Sequence, residues 1–313
     1  MHSVKLQSER GCRQAYKDIL VGYSLLKFKE EEVYIKHFKE CDIGDIEELA
    51  RIIEEKAKKL GLTPEQEYLK YLNEEGHWVE EDEDRYLNAK QAVDDTEAHL
   101  KKIVIPDQIT EFEKILLKKK QELQKVYEER NQLVGITLER YVDKKSNENY
   151  ILYALYKDRE LKELMYTPEE FEEMEQSELS SLIEAYNNKM VMYREDNIKR
   201  IAVNSFFLNP FFISDGDPYK FFGKPVLDMT VYQMNLYSRG KYYKSIIQEG
   251  KTPPEHYYNE PDGIEKLVNW YDNTFNLMQQ ESQKAQEQSK ASSNANATGG
   301  RNRPRPRKIR RRR

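Results

Sequence analysis

Apolar and polar residues alternate near the start of the chain and then change to a helical spacing. The alternating apolar positions are Ile19, Val21, Tyr23, Leu25, Val33 and Ile35. Alternation is the period of a β-strand, so residues 17–38 are predicted to form a β-hairpin with the polar run 29–32 at its turn. From Ile46 to Leu60 the apolar residues follow a helical period, and Gly61 is predicted to end that helix.

The middle of the chain has the most regular pattern. Apolar residues recur every three or four positions from Tyr86 to Ile103 and again from Ile109 to Leu133, with mostly charged residues between them. Lys119 and Arg130 interrupt the second series. Because Ile105-Pro106-Asp107 separates the two series, residues 80–138 are predicted to form a projecting antiparallel coiled-coil hairpin. The pattern is compatible with pairing within one chain or between two copies.

Two Thr-Pro sequences are typical of helix starts. In Thr63-Pro64-Glu65-Gln66 and Thr167-Pro168-Glu169-Glu170, threonine is the expected N-cap, proline the first helical residue, and Gln or Glu the second half of a capping box. Further helices are predicted over residues 230–248 and 262–278. The predicted fold class is therefore mainly α, with a helical body over residues 17–278, a small N-terminal β-hairpin and a flexible segment at residues 1–16.

Composition changes at Gln279, after which Gln, Ser, Ala, Asn and Gly predominate. Residues 279–313 are predicted to be a disordered linker followed by a basic C-terminal tail. Thirteen residues of the tail include nine basic ones and no acid: Arg301, Arg303, Arg305, Arg307, Lys308, Arg310, Arg311, Arg312 and Arg313. The preceding 300 residues carry 42 basic and 56 acidic side chains, so their formal charge is −14.

Such a tail is predicted to bind a polyanion. Arginine forms bidentate bonds with phosphate, and the interspersed prolines keep the segment extended. No aromatic residue lies among the arginines, so base stacking is not indicated and binding is expected to be non-specific and salt-sensitive. The acidic run 80–84 of another copy is a second candidate target, although acids at a helix start also favour the helix dipole.

The spacing of reactive residues predicts no catalytic or metal site. Cys12 and Cys41 match neither a disulfide framework nor a zinc motif, and the chain contains no phosphate-binding glycine loop. A motif-free enzyme site would involve Asp215, Asp217 and His37, but Asp-Gly-Asp-Pro is typical of a turn. We therefore expect a non-enzyme that needs no cofactor. The lack of a signal peptide or membrane span predicts a cytoplasmic protein, in the host cytoplasm if it is viral.

Aromatic residues are concentrated in the C-terminal third. The sequences Phe221-Phe222-Gly223-Lys224-Pro225-Val226, Thr230-Val231-Tyr232-Gln233 and Gly240-Lys241-Tyr242-Tyr243-Lys244 resemble proteins encoded among the tail genes of tailed bacteriophages. The opening residues 18–24 and 33–38 fit the same resemblance, which extends over residues 17–248. It indicates a tail assembly chaperone or a related assembly protein. The resemblance implies a protein that keeps the tape-measure protein soluble while tail-tube subunits polymerise, and it implies no catalytic residues.

The predicted function is therefore a non-enzymatic assembly or scaffold protein that binds structural proteins. Tyrosine and phenylalanine provide large contact areas, so the predicted partner-binding residues are Phe221, Phe222, Tyr232, Tyr242 and Tyr243. The alternative is a nucleic-acid-binding accessory protein that is anchored by its arginine-rich tail.

Overall fold

Helices dominate the fold, and three short strands form one antiparallel sheet, as the computed structural model shows for residues 8–100, 103 and 106–298. The elements follow in the order α1 (Glu9–Val21), β1 (Tyr23–Phe28), β2 (Glu31–Lys36), α2 (Glu40–Lys59), α3 (Glu65–Glu74), α4 (Glu80–Leu100), α5 (Pro106–Val134), α6 (Leu138–Leu152), β3 (Leu155–Tyr156), α7 (Pro168–Glu172), α8 (Gln176–Met190), α9 (Glu195–Ala202), α10 (Ser205–Ile213), α11 (Pro218–Phe222), α12 (Val231–Gln248) and α13 (Gly263–Thr298). Three 3₁₀ turns lie at Val191–Tyr193, Val226–Asp228 and Glu255–Asn259.

The described chain divides into two units. Unit 1 consists of residues 8–40 and 154–298, and unit 2 consists of residues 41–153. Unit 1 contains the sheet and the helices α1 and α7–α13, whereas unit 2 contains α3–α6 and nearly all of α2. Unit 2 is thus inserted between β2 and β3 of unit 1.

The small N-terminal hairpin is confirmed, with shorter strands and a tighter turn than the alternation predicts. β1 pairs with β2 from Tyr23 opposite Lys36 to Phe28 opposite Glu31. The turn is only Lys29-Glu30, and both residues have positive φ angles, of 48° and 69°. Two consecutive residues of this kind form the mirror-image turn that matches the twist of a two-stranded ribbon. β3 then adds to the other edge of β2.

Helix α1 occupies residues 17–21, where the prediction of a strand is wrong. Its fully buried side chains recur at intervals of three and four: Cys12, Ala15 and Ile19. This spacing is that of one face of a helix. Ile19 lies on that face, and its position also fits the alternation that predicted a strand. The Ser8 side chain caps the start of the helix, and Gly22, with φ of 85°, ends it. The segment predicted to be flexible is therefore helical from Glu9 onward, and residues 1–7 lie outside the described residues.

The two Thr-Pro signals have different outcomes. Thr167 forms the predicted capping box with Glu170 at the start of α7. The corresponding prediction at Thr63 is wrong, because Pro64 is the N-cap of α3 and forms no side-chain cap. A contact from a distant helix replaces the cap. The Glu139 carboxylate accepts a hydrogen bond from the Glu65 amide at 2.8 Å, which satisfies one of the free N–H groups of the first turn.

The two C-terminal helices begin where predicted, but the second is longer. Thr230 and Gln233 form a capping box at the start of α12, and that helix ends at Gln248 as expected. Helix α13 continues to Thr298, beyond the predicted end at residue 278. The disorder of residues 279–313 stays a prediction. Gln, Ala, Lys and Glu are good helix formers, and neither glycine nor proline interrupts the sequence before Gly299. The basic tail, residues 301–313, lies outside the described residues.

Helices α4 and α5 form an antiparallel pair within a single chain. The Tyr86 ring stacks on that of Tyr127 at the base of the pair, with centroids 6.3 Å apart. Towards the other end, the rings of His99 and Phe112 lie 5.0 Å apart. The two residues that interrupt the predicted apolar series both make polar contacts across this pair. Lys119 Nζ donates a hydrogen bond to Thr96 Oγ1 at 2.8 Å.

Arg130 connects three helices of unit 2. Its buried guanidinium donates two hydrogen bonds to the carboxylate of Glu83 in α4, at 2.8 and 3.0 Å. It also forms an ion pair with Glu65 in α3 at 2.5 Å and lies 4.9 Å from the ring centroid of Tyr86. Trp78 Nε1 donates to the same Glu83 carboxylate. The charge in the apolar series is therefore fully paired, as a buried guanidinium must be.

We expect Arg130→Ala to lower the free energy of unfolding of unit 2 by on the order of 2–4 kcal/mol, because two partly buried carboxylates lose their partner. Arg85→Ala is the matched control in the same hairpin. Arg85 pairs with Glu129 at 2.7 Å, but both side chains are largely exposed, so a loss below about 1 kcal/mol is expected. Urea unfolding followed by the fluorescence of Trp78, in chains that also carry Trp270→Phe, measures both. Equal losses in the two variants would contradict the role given to Arg130.

Candidate functional site

The residues predicted to bind a partner all lie in unit 1 but differ in exposure. Phe221, Phe222, Tyr232 and Tyr242 are half-buried. Tyr243 is fully buried, and its ring packs 4.2 Å from that of Tyr271 within the core. Tyr243 therefore contributes to the core of unit 1 and presents no surface to a partner.

Residues 213–227, which we call the apolar segment, contain the three most exposed large apolar side chains among the described residues of unit 1. It includes the end of α10, the turn after it, α11 and part of the following 3₁₀ turn. Its exposed apolar side chains are Ile213, Tyr219, Val226 and Leu227. Ile213 is 86% exposed and Leu227 is 92% exposed, so neither contributes to the core. The sequence prediction included Phe221 and Phe222 but missed these four residues.

Several contacts fix the backbone of the apolar segment. The Asp217 side chain accepts hydrogen bonds from the first amides of α11, and Gly223, with φ of 70°, ends that helix. The Phe221 ring packs edge-on against Phe211 at 5.3 Å. The Tyr237 hydroxyl donates to the carbonyl oxygen of Gly216 at 3.0 Å. The segment is thus an ordered surface that holds apolar side chains in water.

The structure does not bring together the residues of the hypothetical enzyme site. Asp215 forms an ion pair with Lys244, which lowers the pKa of the Asp215 carboxyl. Asp217 caps α11, as a turn residue would. Within the part of the chain that the structure describes, no hydrogen bond or ion pair joins His37 to either aspartate. The described part of the chain also contains no group of three His, Cys, Asp or Glu side chains that could hold a metal ion.

His37 instead belongs to a row of buried polar side chains that we call the buried chain. The row runs from His37 through Ser24 and Tyr193 to Asp18. His37 Nε2 lies 2.6 Å from Ser24 Oγ, Ser24 Oγ lies 2.7 Å from the Tyr193 hydroxyl, and that hydroxyl lies 2.6 Å from Asp18 Oδ2. Lys189 Nζ pairs with the same aspartate oxygen at 3.2 Å. No local sequence signal reveals this row, because Asp18 and Tyr193 are 175 positions apart.

Proton counting gives the buried chain a direction. Tyr193 donates to Asp18, and the single hydroxyl proton of Ser24 is donated to Tyr193. The short contact with His37 therefore requires that Nε2 carries a proton and donates to Ser24. His37 Nδ1 is then an unprotonated acceptor, and it is buried without a hydrogen-bond partner among the described residues.

The surroundings keep His37 and Tyr193 each in one protonation state. Burial, with the positive charge of Lys189, lowers the pKa of His37 from 6.5 to about 3, so the imidazole is neutral near pH 7. Burial and the hydrogen bond to Asp18 raise the pKa of Tyr193 well above its usual range. His37 is 1% exposed and Ser24 is inaccessible, so a substrate cannot reach the buried chain of side chains.

A separate cavity lies between α9, α12 and α13 of unit 1. Its volume is about 490 Å³, and the side chains that line it are Glu195, Ile198, Asn235, Ser238, Arg239, Tyr242 and Phe275. Arg239 donates a hydrogen bond to Glu195 at 2.5 Å, and its guanidinium lies 5.5 Å from the Tyr242 ring centroid. The sequence prediction identified Tyr242 but none of the other lining residues.

We expect the stability of unit 1 to fall on acidification because of His37. The unfolded chain binds a proton at His37 near pH 6.5, whereas the folded chain does so only near pH 3. Unfolding therefore takes up a proton between these values, and stability decreases as pH falls through this window. At about 1.4 kcal/mol per pKa unit, the loss reaches about 3 kcal/mol by pH 4.

Urea titrations between pH 7 and pH 4 measure this dependence in the wild type and in His37→Asn. The variant should lose most of the pH dependence of the free energy of unfolding, which we call the slope. His256→Asn is the control, because His256 is an exposed histidine of the same unit and should leave the slope unchanged. An unchanged slope in His37→Asn would disprove the assignment.

The comparisons with known proteins add no identity to these sites. No protein-family model matches the chain, and no curated protein or solved structure has significant similarity to it. Among the described residues, no helix is both long and apolar enough to cross a membrane.

Proposed function

We propose that this protein is a non-enzymatic assembly factor that binds structural proteins, of the kind that acts as a tail assembly chaperone in tailed bacteriophages. The observation that carries the proposal is the apolar segment, where Ile213 and Leu227 are almost fully exposed. Exposed apolar patches are typical of protein-binding surfaces, and four exposed apolar side chains lie within this one ordered segment. The resemblance of residues 221–226, 230–233 and 240–244 to phage tail proteins supports the specific form of the proposal.

The order of the apolar segment favours binding over incidental exposure. The Asp217 cap and the Phe211–Phe221 contact fix its backbone before a partner arrives. A preorganised surface loses less conformational entropy on association than a flexible one. Apolar side chains such as Ile213 and Leu227 then gain burial without a large ordering cost.

The hairpin of unit 2 is the second element of the proposal. We propose that α4 and α5 pack as a coiled coil and project as a second protein-binding arm. Leu87 on α4 and Leu117 on α5 are both about half exposed or more, although they lie within the two paired helices. The polar Thr96–Lys119 contact supports a fixed register for this pair, since a polar pair in an apolar seam disfavours shifted pairings.

The chemistry of unit 1 also favours binding over catalysis. A serine next to a histidine is a nucleophile only if a substrate can reach it, and the Ser24 side chain is inaccessible. The buried chain donates its protons inward to Asp18, so Ser24 has no proton acceptor that would activate it. These features support a structural role for the pair.

We expect the double variant Ile213→Ser, Leu227→Ser to lose capture of structural partners. The tagged full chain, produced in host cells together with the genes that flank it, is captured and the bound structural proteins are quantified. Loss of two buried contacts of about 1–2 kcal/mol each should reduce recovery at least about tenfold. Leu60→Ser is the control, since Leu60 is 76% exposed but lies in unit 2. Equal recovery with the double variant would refute the role of the apolar segment.

The alternative, a nucleic-acid-binding accessory protein, is favoured by the nine basic residues of positions 301–313. A chain that lacks these positions should then lose affinity for both duplex and single-stranded nucleic acid. Affinity of the full chain should fall steeply with salt, because binding releases counterions from several phosphates. Fluorescence anisotropy across a salt series measures this. No binding of the full chain at low salt would exclude the alternative and leave the assembly proposal intact.

A further inference from the structure

We infer that the cavity between α9, α12 and α13 receives one large apolar side chain of a partner polypeptide, together with the peptide group next to it. The inference deepens the proposed function, because it names the chemistry that a bound partner presents to unit 1. It does not depend on the apolar segment.

The inner wall of the cavity is apolar. Ile198 is 1% exposed, and the rings of Tyr242 and Phe275 pack with their centroids 4.0 Å apart. A volume of about 490 Å³ lies within the usual range for small-ligand sites, so it also has room for one large side chain. An aromatic or long aliphatic group therefore finds both the space and the apolar contacts to bury itself.

The charges beside the cavity are already paired. Arg239 contacts Glu195 at 2.5 Å and Asp272 at 3.7 Å, and Lys199 contacts Asp272 at 2.9 Å. Two acidic and two basic side chains thus form one network, which leaves no excess charge for an ionic ligand. A phosphate or a free carboxylate would have to displace Glu195 from Arg239. The cavity consequently favours an uncharged ligand.

Two polar side chains at the rim are open to a ligand. Asn235 and Ser238 are exposed and lie three positions apart on α12, so they share one face of the helix. Their side chains make no hydrogen bond with any other part of the described chain. The amide of asparagine both donates and accepts, as a peptide group does. The apolar wall matches a large apolar side chain, and the Asn235 amide matches the peptide group beside it. The balanced charge favours a ligand that is uncharged in both parts.

The test uses the full chain and three small probes. N-acetyl-phenylalanine amide carries both the aromatic side chain and uncharged peptide groups, N-acetyl-glycine amide lacks the side chain, and free phenylalanine carries two charges. Binding is followed by NMR chemical-shift changes of unit 1. We expect the first probe to bind at least about tenfold more tightly than either of the others, since burial of an aromatic ring contributes more than about 1.4 kcal/mol.

Ser238→Trp fills the cavity from an exposed position and should abolish this binding. Gln248→Trp adds the same group at an exposed site of the same helix outside the cavity, and it should leave binding unchanged. Circular dichroism confirms that both variants fold. Equal affinities for the phenylalanine and glycine amides, or binding that survives Ser238→Trp, would overturn the inference.

The outcomes separate this inference from the proposed function. If the phenylalanine amide does not bind but structural proteins are still captured, the inference fails and the assembly proposal stands. If the amide binds as expected but no structural protein is captured, the assembly proposal fails and the cavity remains a peptide-binding site.

Discussion

The arrangement of unit 1 depends on the burial of a polar row whose hydrogen bonds can run in only one direction. The buried chain joins α1 through Asp18, β1 through Ser24, the residue after β2 through His37, and the 3₁₀ turn through Tyr193. Each group is shielded from water, so a shift of the sheet against the helices would leave a donor or acceptor unpaired. An unpaired buried group costs roughly 1–3 kcal/mol, which makes the position of the sheet specific as well as stable.

The aromatic core extends this constraint to the surface sites. Gly240 allows α12 to approach α10 closely, because a Cβ at that position would lie 2.8 Å from the Phe211 ring. Phe211 in turn supports Phe221 of the apolar segment. The same helix α12 carries Asn235 and Ser238 at the cavity. The apolar segment and the cavity are therefore both positioned by α12, which packs against Phe211.

The sequence predicts those features that depend on neighbouring residues. The cap at Thr167, the helix over residues 230–248 and the ranges of α4 and α5 follow from local chemistry and period, and the structure contains them. Features that depend on tertiary contacts are not predictable in this way. Glu139 replaces the Thr63 cap by accepting from the Glu65 amide, 74 positions away. Composition does not distinguish buried Tyr243 from exposed Leu227, because burial is set by the whole fold.

The insertion of unit 2 has a consequence for the order of folding. β2 and β3 are adjacent, and the Lys36 amide bonds the carbonyl of Ala154 at 2.8 Å, yet unit 2 lies between them along the chain. Pairing these strands in an unfolded chain would close a long loop and lose its entropy. If unit 2 folds first, less flexible chain separates the two strands, and the entropy lost on pairing them is smaller. On that order of folding, β3 joins the sheet after unit 2 has formed.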